Sequence, residues 1–286
     1  MGLVVRLILL ILISAACVQA QEEMTVQIST FARRAAFLSE DGSERFLVME
    51  AGEQIAPESS ESEQINQIIL AIDNSDSMKY LLPDLVDHLE KTLPTQPSVP
   101  IMIATFNEKV EVLANFTTSK TTLQKALANI SVSHQATKLF AALRTLQEYA
   151  KERYTHLIFI TDGADTAQEK INIQEILSRS YTTISYVNWG YGDASLPVNE
   201  PGYRAAVKSS MVKTNPNSTL TALARASGGD VMNFTDWKPL KRYLQRRLNA
   251  GGFIYRLFWH TENPERAFQI ISTARQTAQI ERYPAF

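Results

Sequence analysis

The residues best suited to chemistry lie in a short polar stretch that follows an apolar run. Residues 68–72 are all apolar, and Asp73, Ser75 and Ser77 follow at alternate positions. One carboxylate and two hydroxyls form an oxygen-only ligand set, which suits a hard divalent cation such as Mg²⁺. The same residue types also cap the N-terminus of a helix. Alone, the stretch predicts either half of a metal site or a helix cap.

Two later segments favour the metal site over the helix cap. Residues 156–165 repeat the pattern, because a buried apolar run delivers Asp162 to its C-terminal end with the turn-forming Gly163 behind it. Between the two segments, Thr137 places a hydroxyl at the start of a predicted helix. In open α/β sheets, ligands bind at the edge where the carboxyl ends of the strands lie. These residues are therefore candidates for one site at that edge.

The pattern resembles the von Willebrand factor type A domain and its metal-ion-dependent adhesion site. That site combines an Asp-x-Ser-x-Ser turn, a later threonine, and an aspartate in a Thr-Asp-Gly context. The resemblance implies a protein-binding module in which a divalent cation accepts a carboxylate from a partner protein, with Mg²⁺ preferred and Mn²⁺ or Ca²⁺ as alternatives. Its metal ligands would be Asp73, Ser75, Ser77, Thr137 and Asp162.

The sequence departs from that family in two places near the site. Asp76 stands where a glycine usually separates the two serines, and Gln135-Ala136 replaces the glycine that commonly precedes the threonine. If Asp76 points toward the ion, a third carboxylate weakens the attraction for an anionic ligand. If it points to solvent, it is only a turn residue, and this is the favoured interpretation. His134 is expected in a surface loop, with an approach to the metal rim as the alternative.

Composition indicates a folded globular protein. The chain has 286 residues, of which 45% are hydrophobic and 20% charged, and its formal net charge is −2. A charge this small gives no indication of nucleic-acid or membrane binding. The four histidines are scattered without zinc-like spacing.

The first twenty residues predict export. Arg6 precedes an apolar run at 7–16, and Val18-Gln19-Ala20 supplies a small-residue cleavage site. This pattern is typical of a secretory signal peptide cleaved near Ala20, which implies a periplasmic, cell-surface or secreted protein. Cys17 is the only cysteine, and a lipid anchor on it is the less favoured alternative. No later apolar run has the length of about 20 residues that a transmembrane helix needs.

Alternation of apolar patterns predicts an α/β fold with a doubly wound, mostly parallel sheet flanked by helices, similar to a Rossmann fold. We predict a signal peptide at 1–20, an N-terminal β segment at 21–55, an acidic linker at 56–66, the von Willebrand-type domain at 67–249 and a C-terminal β segment at 250–286. Strands are expected at 24–29, 46–50, 68–73, 99–106, 110–116, 157–161, 182–189, 230–234, 253–259, 267–272 and 278–283. Helices are expected at 81–93, 121–128, 139–150, 171–180, 220–227 and 237–248.

The two flanks are expected to pair into one small β module, because neither has enough apolar residues to fold alone. Phe-x-Val-x-Glu-x-Gly at 46–52 and Tyr255-Arg256-Leu257 resemble the flanks of bacterial exported von Willebrand-type proteins. Residues 190–218 lack periodicity and form either a partner-selecting loop or a surface insertion. The basic residues of the last helix, including Arg247, are expected on a solvated face rather than in an anion-binding patch.

A binding module is thus the leading functional hypothesis, and two alternatives remain. One is a structural component of an envelope complex in which the metal site is vestigial. The other is a metal-dependent phosphoryl hydrolase with Asp73 as nucleophile, although such enzymes usually place a second aspartate where this chain has Ser75. We therefore expect no enzymatic activity and no catalytic residue. The sequence leaves the oligomeric state open.

Overall fold

A mixed six-stranded sheet forms the centre of the protein, as seen in a computed structural model. The structure describes residues 31–39, 42–43, 45–150, 153–163, 176, 181–189, 218–234, 237–261, 268–272 and 279–280. Their strands are β1 (Phe31–Ser39), β2 (Phe46–Glu50), β3 (Glu53–Ile55), β4 (Ser59–Gln64), β5 (Gln67–Asp73), β6 (Ile101–Phe106), β7 (Val110–Thr117), β8 (Thr155–Thr161), β9 (Thr182–Trp189), β10 (Val231–Phe234), β11 (Phe253–Thr261), β12 (Phe268–Ser272) and β13 (Gln279–Ile280). Their helices are α1 (Leu82–Thr92), α2 (Lys120–Ala128), α3 (Leu139–Glu148), α4 (Ser218–Ser227) and α5 (Trp237–Ala250).

The central sheet has the strand order β10-β9-β8-β5-β6-β7. All its neighbouring strands are parallel except β7, which pairs antiparallel with β6. Each residue of β5 and β8 is buried, because these central strands are covered on both faces. This architecture confirms the predicted doubly wound, mostly parallel fold.

Alternate residues of β5 enter two different hydrophobic cores, one on each face of the sheet. Ile68, Leu70 and Ile72 pack in one cluster with buried leucines of α1, α2 and α5. Ile69 and Ala71 pack in the other with buried residues of α3 and α4. The period of two along the strand therefore separates the helices into two layers.

Two small antiparallel sheets combine strands from before and after the central domain. One has the order β1-β11-β4, and the other has the order β13-β12-β2-β3. Phe46 and Val48 of β2 form a third buried cluster with Tyr255, Leu257 and Trp259 of β11. The predicted pairing of the two flanks is confirmed, but they form two sheets rather than one.

Most predicted elements agree with the structure to within two residues. The predicted linker at 56–66 is wrong in part, because Ser59–Gln64 forms β4 and pairs antiparallel with β11. Local composition favours a linker there, whereas the backbone hydrogen bonds that make it a strand come from a partner almost 200 residues away. The strand predicted at 24–29, the loop at 190–217 and most of the helix at 171–180 lie outside the described residues, as does the predicted signal peptide. Within the described part of the chain, no helix is both long and apolar enough to cross a bilayer.

A largely buried polar cluster lies toward the amino ends of the parallel strands, away from their carboxyl ends. Nε2 of His156 lies 2.7 Å from the Ser185 hydroxyl, which also accepts a hydrogen bond from the backbone N–H of Asp230. Nε and Nη2 of Arg247 donate to Oδ2 of Asp230 at 3.1 and 2.7 Å. The prediction of a solvated Arg247 is therefore wrong, since helical periodicity alone does not reveal a buried partner on another element.

His156 should make stability depend on pH. Burial, and secondly the positive charge of Arg247, hold the pKa of this fully buried imidazole well below its usual value. The folded state then binds fewer protons than the unfolded state, so this contribution to stability is present above about pH 6.5 and is lost as the pH falls. In the wild type, we expect this contribution to the free energy of unfolding to fall by about 1 kcal/mol per pH unit between pH 6 and 5. Replacing His156 with asparagine should flatten this pH dependence.

Urea unfolding at pH 5, 6 and 8 in the presence of chelator measures this effect. Replacement of the exposed His260 with asparagine is the matched control and should leave the pH dependence of the wild type in place. If the His156 variant keeps the wild-type slope below pH 6.5, the buried imidazole is not its source.

Candidate metal site

Neighbouring parallel strands bring the two predicted aspartates to the same sheet edge. β5 and β8 pair in register, with Ile72 opposite Ile160, so both chains reach the edge together. Asp73 is the last residue of β5, and Asp162 directly follows β8. Asp73 is fully buried and only 2% of the surface of Asp162 is exposed, so two acidic residues are buried at one edge of the sheet.

Hydrogen bonds fix the orientation of the Asp73 carboxylate. Its Oδ1 accepts from the backbone N–H of Ser75 at 2.9 Å, and its Oδ2 accepts from the Thr161 hydroxyl at 2.6 Å. The Thr161 oxygen in turn accepts from the N–H of Gly163 at 2.9 Å. Gly163, which directly follows Asp162, has a φ of 81°, a conformation that favours glycine. The Thr-Asp-Gly sequence thus supports the Asp73 carboxylate and carries Asp162 at the end of the neighbouring strand.

The two serines place their hydroxyls side by side. The Oγ atoms of Ser75 and Ser77 are 3.0 Å apart, with Ser75 buried and Ser77 exposed. Ser75 precedes a single 3₁₀ turn at Asp76–Met78, but its side chain makes no capping hydrogen bond. The serine hydroxyls therefore line the edge of the sheet instead of serving as a helix cap.

Thr137 is also buried, with 2% of its surface exposed, and it lies two residues before α3. Three hydrogen bonds connect the segment that carries Thr137 to Asn74 and Asn107, the residues that directly follow β5 and β6. Ser133 N–H donates to the Asn74 carbonyl at 2.7 Å, Nδ2 of Asn74 donates to the Ser131 carbonyl at 3.0 Å, and Lys138 N–H donates to the Asn107 carbonyl at 3.0 Å.

Asp76 lies at the rim of the site. Its carboxylate oxygens are 3.0 Å from Nδ1 of His134 and 4.0 Å from Nζ of Lys79. The hydrogen bond from His134, aided by the charges of Lys79 and His134, lowers the pKa of Asp76. Its side chain is about half exposed, which agrees with the solvent-facing alternative. His134 is both a surface residue and a neighbour of the rim.

The electrostatics of the edge favour a bound cation. Burial, and secondly the negative charge of Asp162, raise the pKa of Asp73 to about 7, against the effect of its bonds to Ser75 and Thr161. Two buried carboxylates of this kind hold either a proton or a cation between them. The other oxygen atoms available to coordinate an ion are those of hydroxyl groups, which suit Mg²⁺, Mn²⁺ or Ca²⁺.

Other types of metal site are not evident where the structure describes the chain. Within those residues, no group of three or more His, Cys, Asp or Glu side chains could hold an ion. The candidate site consists instead of two carboxylates and several hydroxyls. Asn74, Asn107 and Thr161 were not predicted as residues of the site. Each is a polar residue at or directly after the end of a strand, and this position could have identified it from the sequence.

Residues 68–164 match the family model described as the von Willebrand factor type A domain. The matched range includes all five predicted ligands. No curated protein matches the chain.

Several solved structures are similar to this chain at low sequence identity. An aerotolerance-related membrane protein from Bacteroides fragilis NCTC 9343 is 15% identical, with 64% of this chain and 98% of that chain covered and a TM-score of 0.48. A von Willebrand factor type A protein from Catenulispora acidiphila is 12% identical, with 89% and 71% covered and a TM-score of 0.48. Proximal thread matrix protein 1 of the mussel byssus, with a zinc-occupied MIDAS motif, is 13% identical, with 68% and 49% covered and a TM-score of 0.46.

Proposed function

We propose that this protein, whose residues 68–164 match the family model of the von Willebrand factor type A domain, is a metal-dependent binding module that recognises an acidic residue of a partner protein. The ligands of the ion are Asp73, Ser75, Ser77, Thr137 and Asp162. The buried pair of carboxylates beside the serine hydroxyls is the observation that carries the proposal. Adhesion and assembly of a protein complex are the roles that such a module serves.

The charge balance of the site supports recognition of an anion. Two carboxylates neutralise a divalent cation, while the three hydroxyls add oxygen ligands without adding charge. A bound cation with a neutral remainder of its shell supplies an electrophilic position for a carboxylate from outside. A third aspartate, Asp76, is directed to His134 and Lys79, so it leaves this balance unchanged.

The same geometry supports binding rather than phosphoryl transfer. Both oxygens of Asp73 accept hydrogen bonds within the protein, which lowers the nucleophilicity of this buried carboxylate. Ser75 occupies the position where a hydrolase of this type usually has its acid/base aspartate. We accordingly assign no catalytic role to the site.

Export completes the proposal. Residues 1–20 have the charged, apolar and small-residue regions of a signal peptide, which supports a location of the binding module in the periplasm, on the cell surface or outside the cell. Peptide sequencing of the mature N-terminus tests this point, and a start at Gln21 is expected. An N-terminus that retains residues 1–20 contradicts it.

Calorimetric titration with Mg²⁺, Mn²⁺ and Ca²⁺ tests the metal site. The wild type is expected to bind one ion, and Asp162→Ala is expected to bind none, because a single carboxylate leaves the ion under-neutralised. Asp84→Ala, on the exposed first turn of α1, is the matched control and should bind like the wild type. A wild type that binds none of the three ions contradicts the proposal and favours the structural role with a vestigial site.

The same samples test recognition of a carboxylate. With Mn²⁺ bound, acetate is expected to displace coordinated water and lower the water-proton relaxation rate, whereas acetamide, which is uncharged, should not. Equal effects of the two compounds contradict an anion-recognising ion.

A further inference from the structure

We propose that Asn74 is a positioning residue, which holds the segment bearing Thr137 in place over the Asp73–Ser77 turn. The inference rests on the proposed metal site, since it concerns how one of its ligands is held. Asn74 lies between two predicted ligands in the sequence, and it is 7% exposed. Its role is to connect three separate loops at the sheet edge.

Four hydrogen bonds use every polar group of Asn74. Its backbone N–H donates to the Phe106 carbonyl at 3.1 Å, and its carbonyl accepts from Ser133 at 2.7 Å. Its side-chain Nδ2 donates to the Ser131 carbonyl at 3.0 Å, while its Oδ1 accepts from Nδ2 of Asn107 at 2.9 Å. A primary amide suits this position, because it donates from Nδ2 and accepts at Oδ1 through two separate atoms of one short, uncharged side chain.

Asn107 extends the connection to the other side of Thr137. It directly follows β6, and its carbonyl accepts from the N–H of Lys138 at 3.0 Å. Its side-chain Oδ1 also accepts from Lys109 N–H at 3.1 Å, which orders the turn between β6 and β7. Thr137 is thus flanked by anchors at 131, 133 and 138, and all three anchors lead to Asn74 or Asn107.

The anchored segment has few other restraints on its backbone. Residues 130–138 form neither helix nor strand, so no regular hydrogen-bond ladder fixes the position of Thr137. In other metal sites, removing a residue that orients a metal ligand typically weakens metal binding by roughly 10- to 100-fold. Loss of the Asn74 amide should therefore displace Thr137 while leaving Asp73, Ser75 and Ser77 on their own turn.

A double-mutant cycle with Thr137 separates positioning from a general structural role. Mn²⁺ affinity of the full-length protein is measured by the electron paramagnetic resonance signal of the free ion. Asn74→Ala should weaken Mn²⁺ binding about tenfold or more. In a Thr137→Ala background, the same change should alter affinity by less than about twofold, because the ligand it positions is already gone. Asn107→Ala should give the same pattern.

Asn115→Ala is the matched control, since Asn115 is exposed on β7 and its side-chain oxygen accepts a hydrogen bond from the N–H of the neighbouring Phe116. Thermal unfolding in chelator checks that each variant folds, and Asn107→Ala decides the matter if Asn74→Ala does not fold. The inference is overturned if these variants bind Mn²⁺ like the wild type, or weaken binding equally with and without Thr137. A wild type that does not bind Mn²⁺ overturns the proposed function, and this inference with it.

Discussion

Replacing Asp73 with asparagine is expected to abolish divalent-cation binding and, at the same time, to stabilise the metal-free protein at pH 8. Asparagine keeps an oxygen that accepts from Ser75 N–H, so the turn is preserved. It removes a buried negative charge whose pKa is raised to about 7 by burial and by Asp162. A pKa shift of this size corresponds to a few kcal/mol of unfavourable interaction, and we expect the variant to recover about 2 kcal/mol.

The two readouts of this variant move in opposite directions, which distinguishes it from a variant that merely misfolds. Calorimetry should show no binding of Mg²⁺, while urea unfolding at pH 8 in chelator should show a higher free energy of unfolding. Asp84→Asn on the exposed turn of α1 should change neither quantity. Retained Mg²⁺ binding by Asp73→Asn would remove Asp73 from the site.

The location of the candidate site was predictable because it follows from strand order. Apolar runs ending at Asp73 and Asp162 indicate buried strands, and parallel neighbours deliver their carboxyl ends to one edge. Thr137 was predictable only through the family resemblance, since no strand carries it. Its support by Asn74 and Asn107 was not predictable, because the hydrogen bonds join loops 33 and 57 residues apart in sequence.

The incorrect predictions for Ser59–Gln64 and Arg247 have the same physical cause. Ser59–Gln64 has the composition of a linker, but β11 provides a pairing edge from the other end of the chain. Arg247 lies on a helix with many cations, yet the partly buried Asp230 withdraws it from solvent. Periodicity and composition report on local preference, and both cases are decided by a partner that is distant in sequence.

The affinity for Mg²⁺ is expected to fall steeply below pH 7, which follows from the raised pKa of Asp73. A folded-state pKa above the ordinary value means that proton binding favours the metal-free fold. This contribution to stability is fully present below about pH 4 and is lost as the pH rises through about 7. An ion requires the ionised carboxylate, so proton and ion compete for the same site.

The competition sets the size and sign of the effect. One proton displaced per ion lowers the affinity about tenfold for each pH unit below 7, or about 100-fold between pH 7 and pH 5. The rise in melting temperature on adding Mg²⁺ should therefore be large at pH 8 and nearly absent at pH 5. Because His156 titrates with and without the ion, the difference between samples with Mg²⁺ and with chelator cancels its opposite contribution. An equal rise in melting temperature at both pH values would show that Asp73 carries no proton in the metal-free protein. It would contradict the proposed competition between the proton and Mg²⁺.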